Sequence, residues 1–434
     1  MKIKTVEMPY NKVMALPRPQ HKNPKRPSVI FRMLVRALSQ LDLWKAHFKF
    51  EGKIDKKGGP YLVLMNHSSF IDVKIAHGIL YPMPFHIVST HDAFVGKHWL
   101  MKKIGCLPTK KFVSDAVLIS DMKHALKKGT SVLMYPEAGY TFDGTPTTLP
   151  ERFGRLIKLL NVPVVFIETK GAFTRDPLYN GLKIRRVPVS ATVSTLFTKQ
   201  QIAELSTEQI DDVIKMAFSF DGFAWQRENK IKVDEEFRAE GLERILYRCA
   251  ACNTEGKMAT EGSKLVCRHC GKSYTLSEYG ELVADDGKTE FSHVPDWYNW
   301  ERQCVRSELL AGKYEMDIPV DVGVMVDYKA LYKVGSGRLV HNLDGFTLTG
   351  CDGQLEFTQT AKASYGLNAD YFWYELGDVI CVGNTDVLYY CFTPEGVSVT
   401  KARLAAEELF KIVKEKQKAE KHAKCAVNGM PQNA

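Results

Sequence analysis

The sequence predicts an α/β protein, and three observations carry that expectation. Between residues 46 and 200, apolar runs of strand length alternate with segments of helical periodicity. Residues 249–270 hold two Cys-x-x-Cys pairs. Beyond residue 312, short β-rich pieces separated by Gly, Asp and Asn precede one long amphipathic segment. The expected architecture is a mixed sheet flanked by helices, then a small zinc ribbon, then a C-terminal β-rich domain capped by a helix. At 434 residues the chain is long enough for two or three domains. The boundaries read as 1–245, 246–285 and 286–425.

Composition sets limits. Hydrophobic residues are 45% and charged residues 25%, as in a globular protein. The net charge of +9 suits an anionic membrane, an acidic carrier or nucleic acid without choosing among them. No apolar run approaches the roughly 18 residues of a spanning helix, and the basic start lacks the apolar centre of a signal peptide. The expectation is a cytoplasmic protein, peripheral on the inner face of the membrane. With ten cysteines and no export signal, a reducing compartment is expected.

Taken in order, residues 1–25 are rich in Pro and Lys and expected to be extended. Pro27 opens a helical pattern in which Val29, Ile30, Met33, Leu34, Ala37, Leu38 and Leu41 form one stripe. Arg32 and Arg36 lie on the other side. Two readings fit: a stripe packed on the core, or a helix in the membrane interface with its arginines on lipid phosphates. "YLVLMN", "FHIVST", "SVLMYP" and "VPVVFIE" read as strands. "FIDVKIAHGIL", the segment from Ser114 to Gly129, and "PERFGRLIKLLN" read as helices. Ser206 and Gln209 have capping-box spacing, and "DEEFRAEGLERILYRC" reads as a further helix.

"LVLMNHSSFIDVKIA" places His67 where a strand ends and a helix begins, with Asp72 five residues on. Ligands collect at that edge of an α/β sheet. The positive end of the helix disfavours imidazolium, so His67 suits a general base. Asp72, if the chain curls back, steadies the far ring nitrogen. Such a dyad needs no protein nucleophile when the substrate brings its own hydroxyl. An isolated His-x4-Asp also arises often by chance, as a strand-end His and a helix-start charge.

Three further blocks lie in register: "GCLPTKK", "YPEAGY" and "VPVVF". Together with Asn66, His67 and Asp72 they resemble the four motifs of the glycerolipid acyltransferase family, which includes the 1-acylglycerol-3-phosphate acyltransferases. The resemblance spans roughly residues 28–230. It implies that His67 deprotonates the acceptor hydroxyl and Asp72 supports it, while the hydroxyl attacks an acyl thioester of CoA or acyl carrier protein. It implies substrate-binding roles for Asn66, Gly105, Lys111, Glu137 and Gly139, with Glu137 organising the acceptor pocket. Two departures matter. Lys111 stands where arginine is usual and lacks its planar fork. Gly139–Tyr140 removes the arginine of the third motif, with Lys110, Arg152 and Arg155 as nearby replacements. The resemblance implies a lysophospholipid or related glycerolipid as acceptor, and the two departures leave another lipid or a polyol open. The alternative is a catalytically inactive lipid-binding or scaffolding protein on the same fold.

Cys249, Cys252, Cys267 and Cys270 form two knuckles with 14 residues between them. Each knuckle offers two thiolates on one turn, and the pair completes a tetrahedron for structural Zn²⁺, with iron as an alternative on the same sulfurs. His269 lies inside a knuckle and reads as a surface residue. A ribbon of this type serves binding or joins domains; the absence of a basic-aromatic stripe argues against nucleic acid. Trp297, Tyr298 and Trp300 read as packing residues. The final strands and helix resemble a pleckstrin-homology-like or GRAM-like domain by element order alone, which implies lipid or protein docking.

Overall fold

The computed structural model describes residues 2–113 and 115–428, with side chains as far as Lys421. Ser114, the expected helix cap, Cys425's side chain and residues 429–434 of the expected tail lie outside it. The helix after that cap runs Ala116–Lys127, and Asp115 caps it by accepting from Leu118 N at 2.8 Å.

A seven-stranded sheet forms the first layer, in the order Lys49–Gly52, Ser190–Phe197, Val164–Lys170, Leu62–Met65, Ser131–Met134, Phe85–Thr90 and Cys106–Thr109. Every neighbouring pair is parallel except Val164–Lys170 with Ser190–Phe197. The central strands are buried on both faces, which is why they read as unbroken apolar runs. The helices Ile71–Leu80, Ala116–Lys127 and Phe153–Leu160 connect or flank these strands, as the periodicity predicts. Ser206 and Gln209 form the expected reciprocal cap, and Thr198 with Gln201 forms a second one.

The helix Val29–Lys45 overturns the core-packed reading of its stripe and the lipid-phosphate role of Arg32. Ile30, Leu38, Leu41 and Trp44 are exposed, Ile30 at 75% and Trp44 at 76%, so the apolar stripe does not pack on the core. The arginines face the protein instead. Arg32 is buried and donates from Nη1 to Pro82 O at 2.7 Å, so it is not available to lipid phosphate. Pro27 lies before the helix, which starts after Ser28, and packs on Gly105.

The expected helix over residues 234–249 breaks into a short turn, Glu236–Ala239, and Leu242–Ile245. Gly241 causes the break: its φ is +87°, and a Cβ there would lie 1.9 Å from Tyr179 O. Residues 1–25 are not wholly extended, since Tyr10–Met14 is helical. Thr5–Glu7, grouped on sequence with the first domain, pairs in parallel with Leu331–Lys333 of the C-terminal sheet.

The four cysteines belong to an antiparallel sheet of Met258–Glu261, Lys264–Cys267, Ser273–Leu276 and Leu282–Ala284 and the turn before it. The Trp297 cluster sits on a helix, Val294–Leu310, that sequence reading missed. Trp297 is fully buried, meets Tyr274 edge-on at 5.0 Å and donates to Arg248 O at 3.0 Å, clamping its helix to the small sheet.

The C-terminal sheet consists of two antiparallel meanders. Met316–Val324, Leu331–Asn342, Gly345–Gly350 and Leu355–Thr360 form one; Asn368–Trp373, Gly377–Gly383 and Leu388–Phe392 form the other. They join where Met316–Val324 pairs with Leu388–Phe392. The helix Val399–Asn428 packs on this sheet.

This C-terminal part also packs on the first layer. Tyr328 stacks on His98 at 4.4 Å and touches His91 and Phe94, and its carbonyl accepts from Gly96 N at 2.9 Å. Phe112 meets Tyr365, and Phe142 meets Tyr371.

Candidate active site

Four parallel strands deliver the site residues at their carboxyl ends. Leu62–Met65 leads to Asn66 and His67, Ser131–Met134 to Tyr135 and Glu137, Val164–Lys170 carries Thr169 near its end, and Cys106–Thr109 leads to Lys111. Parallel pairing aligns these ends on one rim, where the next chain segments leave the sheet.

Asp72 is fully buried in the first turn of Ile71–Leu80. Its Oδ2 accepts from Ser68 N at 2.7 Å and Ser69 N at 3.0 Å. Those two bonds curl the Ser68–Ser69 loop over the carboxylate and bring His67 Nδ1 to 3.2 Å from the same oxygen. Thr169 Oγ1 donates to Oδ1 at 3.4 Å. An ionised carboxylate surrounded by donors is held in one orientation.

The His67 ring lies between two tyrosines, Tyr135 at 4.0 Å and Tyr140 at 4.4 Å between centroids. Burial pushes the imidazole below its usual range; the hydrogen bond and charge of Asp72 pull it back up, and the positive charge of Lys111 pushes it down. The result is a neutral ring at pH 7, fixed in tautomer through Nδ1, as a general base requires.

Asn66 is engaged by the backbone of a neighbouring strand. Its Oδ1 accepts from Thr169 N at 2.7 Å and its Nδ2 donates to Thr169 O at 3.0 Å, tying two strand ends together. Gly105 is likewise used by the backbone: with φ +106° it ends the helix His98–Ile104, and a Cβ would fall 2.5 Å from Pro27 Cγ. Glu137 is fully buried and braces the loop: Oε2 accepts from His67 N at 2.9 Å and Oε1 from Thr147 N at 3.0 Å. Burial pushes its carboxyl up to about 8, against the pull of those two donors. Ala138 takes φ +56°, which costs a non-glycine residue on the order of 1–2 kcal/mol.

Lys111 and Gly139 do come together: the Lys111 amine lies 3.9 Å from where a Gly139 Cβ would be. The proposed replacements for the third-motif arginine do not join them. Arg152 and Arg155 are exposed, and Lys110 donates to Thr385 O. Tyr135, Tyr140 and Thr169 were missed on sequence. Thr169 leaves no sequence signal, whereas both tyrosines lie inside the quoted "YPEAGY" block.

Residues 47–167 match the Acyltransferase family model. The matched stretch runs from the edge strand into Val164–Lys170, ending at residue 167, and includes His67, Asp72, Lys111 and Glu137. No curated protein matches the chain. Among solved structures, the 1-acyl-sn-glycerophosphate (LPA) acyltransferase PlsC from Thermotoga maritima is similar with a TM-score of 0.32 and 14% identity, over 44% of this chain and 81% of that one. A likeness at that level adds no weight to the acyltransferase assignment.

The four cysteine sulfurs lie within 4.8 Å of one another, so this cluster can hold a metal ion. The Cys249–Cys270 and Cys252–Cys267 sulfur pairs are each 3.8 Å apart. A tetrahedron with metal–sulfur bonds of about 2.3 Å has edges of about 3.8 Å. His269 is exposed and stands outside the cluster.

Proposed function

We propose that the protein is an O-acyltransferase that moves a fatty acyl group from a thioester of CoA or acyl carrier protein to a hydroxyl of a lysophospholipid or related glycerolipid. The observation that carries the reading is the contact between His67 Nδ1 and Asp72 Oδ2 at the sheet rim, inside the segment that matches the acyltransferase family. His67 Nε2 takes the proton of the acceptor hydroxyl as its oxygen attacks the thioester carbonyl. The tetrahedral adduct collapses, the C–S bond breaks, and the departing sulfur takes the proton from Nε2 and leaves as the thiol. Asp72 stays ionised and stabilises the transient imidazolium. Neutral ester and free thiol are the products, and the histidine returns to its starting state.

Zinc is the metal we assign to the cysteine cluster, as a closed structural site with four protein ligands in a ribbon. The C-terminal meanders and helix are read as pleckstrin-homology-like or GRAM-like, a docking module. Among the described residues no helix is long and apolar enough to cross a membrane. The outward stripe of Val29–Lys45, extended by exposed Trp99 against Phe31 at 5.9 Å, supports peripheral attachment to the inner face of the membrane. Lys45, Lys102 and Lys103 are exposed at the ends of these two helices and favour anionic lipid.

The test is His67→Ala in purified protein given an acyl thioester and mixed lysolipids. Thiol release falls at least 10³-fold with the far-ultraviolet spectrum unchanged. A mutant that turns over like the wild type removes the dyad from the mechanism.

A further inference from the structure

The first cysteine knuckle reaches well beyond the small sheet. Arg248 stands next to Cys249, and Glu255 three residues after Cys252. The two close the knuckle as an antiparallel bridge, with Gly256 N donating to Tyr247 O and Cys249 N to Thr254 O, each at 2.9 Å. The turn between them is tight, and Asn253 takes φ +63° within it. Where the thiols of Cys249 and Cys252 are held therefore governs where the Glu255 carboxylate stands.

That carboxylate belongs to a closed ring of charges. Arg248 Nη2 donates to Glu255 and to Glu308, which lies on the helix Val294–Leu310. Lys401 Nζ, on the helix Val399–Asn428, donates to Glu255 at 2.8 Å and lies 3.0 Å from Glu308 Oε2. Two cations balance two carboxylates, and knuckle and both helices share them. None of the four side chains is more than 33% exposed, so solvent and salt screen the ring less than they would a surface pair. Arg248 N also donates to the buried Glu301 at 2.7 Å, so backbone and side chain of one residue both grip Val294–Leu310. Further along, Arg302 and Arg306 pair with Glu407, Glu408 and Glu415 and keep the two helices together. The helix Val399–Asn428 in turn meets the first layer: the Arg403 guanidinium lies 4.2 Å from the Phe142 ring, and Thr400 Oγ1 donates to Arg244 O at 2.8 Å.

We infer that the cysteine cluster is a metal-operated brace: the loaded knuckle fixes Glu255, and Glu255, through Lys401, holds the C-terminal helix on the first layer. The inference rests on the metal reading of the four cysteines and stands without the acyl-transfer reading. When the metal is removed, the thiols no longer tie the two knuckles together, the turn that carries Glu255 relaxes, and Lys401 is left with Glu308. Such coupling is reciprocal, so whatever the metal does for the helix, the helix does for metal affinity.

The experiment is competition for zinc chloride between the full chain and a chromophoric chelator, with hydrogen exchange as the second readout. Lys401→Met and Glu308→Gln each weaken zinc at least about fivefold. Lys411→Met, on the same helix but paired with Glu408, changes zinc affinity by less than about twofold. A plain charge effect predicts a different pattern. A four-thiolate site keeps excess negative charge with a divalent ion bound, so loss of the Glu308 charge alone would tighten zinc. Stripping zinc with the chelator speeds exchange across residues 399–408 and leaves Ala116–Lys127 unchanged. The inference is overturned if Lys401→Met binds zinc like the wild type, or if Glu308→Gln binds it more tightly. It is equally overturned if exchange rises alike in both helices, which is unfolding of the whole chain. Failure of the metal reading looks different: the wild-type chain then takes up no zinc, and the inference falls with it.

Discussion

Asp72→Asn isolates the charge behind His67. The amide is isosteric, and its oxygen in the place of Oδ2 still accepts from Ser68 N, Ser69 N and His67 Nδ1. Its nitrogen then faces Thr169 Oγ1, which accepts as readily as it donates. Loop and tautomer are kept, and the negative charge is lost. The loss has two bounds. A hydrogen bond to a charged group exceeds a neutral one by roughly 1–2 kcal/mol. Two unit charges at the observed 3.2 Å interact by about 5 kcal/mol at an effective dielectric of 20. The imidazolium exists only as the hydroxyl proton is taken, so most of this falls on the transition state. We expect kcat to drop on the order of 10²–10³-fold, read as thiol release at pH 7.5. The pH profile gives a second check. Burial already places the lower limb beneath the ordinary histidine value of 6.5, and removing the Asp72 charge moves that limb to still lower pH. Turnover within threefold of the wild type, or a limb that moves upward, would refute the argument. Asp72→Ala is the poorer probe: it strips two buried N–H groups of their acceptor, at about 1–3 kcal/mol each, and confounds catalysis with folding.

Glu137→Gln addresses the neighbouring carboxyl. A group held up to about 8 when folded binds a proton that the unfolded chain has lost, so stability falls as pH rises from about 4.5 through about 8. Urea midpoints at pH 5.5 and 8.5 should differ less in the variant than in the wild type, and equal slopes would remove Glu137 as the source. For the cysteine cluster, elemental analysis should find one zinc per chain; Cys267→Ser should lose it and lower the melting temperature, and a metal-free wild type of equal stability would count against the site. On the outer helix, Ile30→Glu with Leu34→Glu should cut sedimentation with anionic vesicles at least tenfold and leave the melting temperature within 1–2 °C, because both side chains are already in water. Vesicle binding that survives the pair would place the contact elsewhere.

Local pattern carried most of the first layer. Strands buried on both faces leave continuous apolar runs, and the turns after them leave His, Glu and Gly at readable offsets. The His67–Asp72 contact was also legible, because both partners lie on one loop and the intervening Ser68 and Ser69 supply the N–H groups that curl it. What failed was orientation. An amphipathic stripe says which residues share a side of the helix Val29–Lys45, and it does not say which side meets the protein. Arg32 could turn inward only because Pro82 O was there to receive it, a contact set by tertiary packing. The backbone partners of Asn66 and Glu137 were equally illegible, because Thr169 meets the one, and His67 and Thr147 the other, only in the fold.

The seating of Tyr328 between His91, Phe94 and His98, with Tyr365 on Phe112 and Tyr371 on Phe142, bears on any attempt to dissect the chain. A shortened version stopping near residue 245 would keep the four blocks around His67 and still uncover the aromatic side chains that the C-terminal part covers. Such a fragment would be sticky, and its silence in an assay would report that exposed seam, saying nothing about who performs the chemistry. Dissection here is better done with point changes at the seam than with scissors.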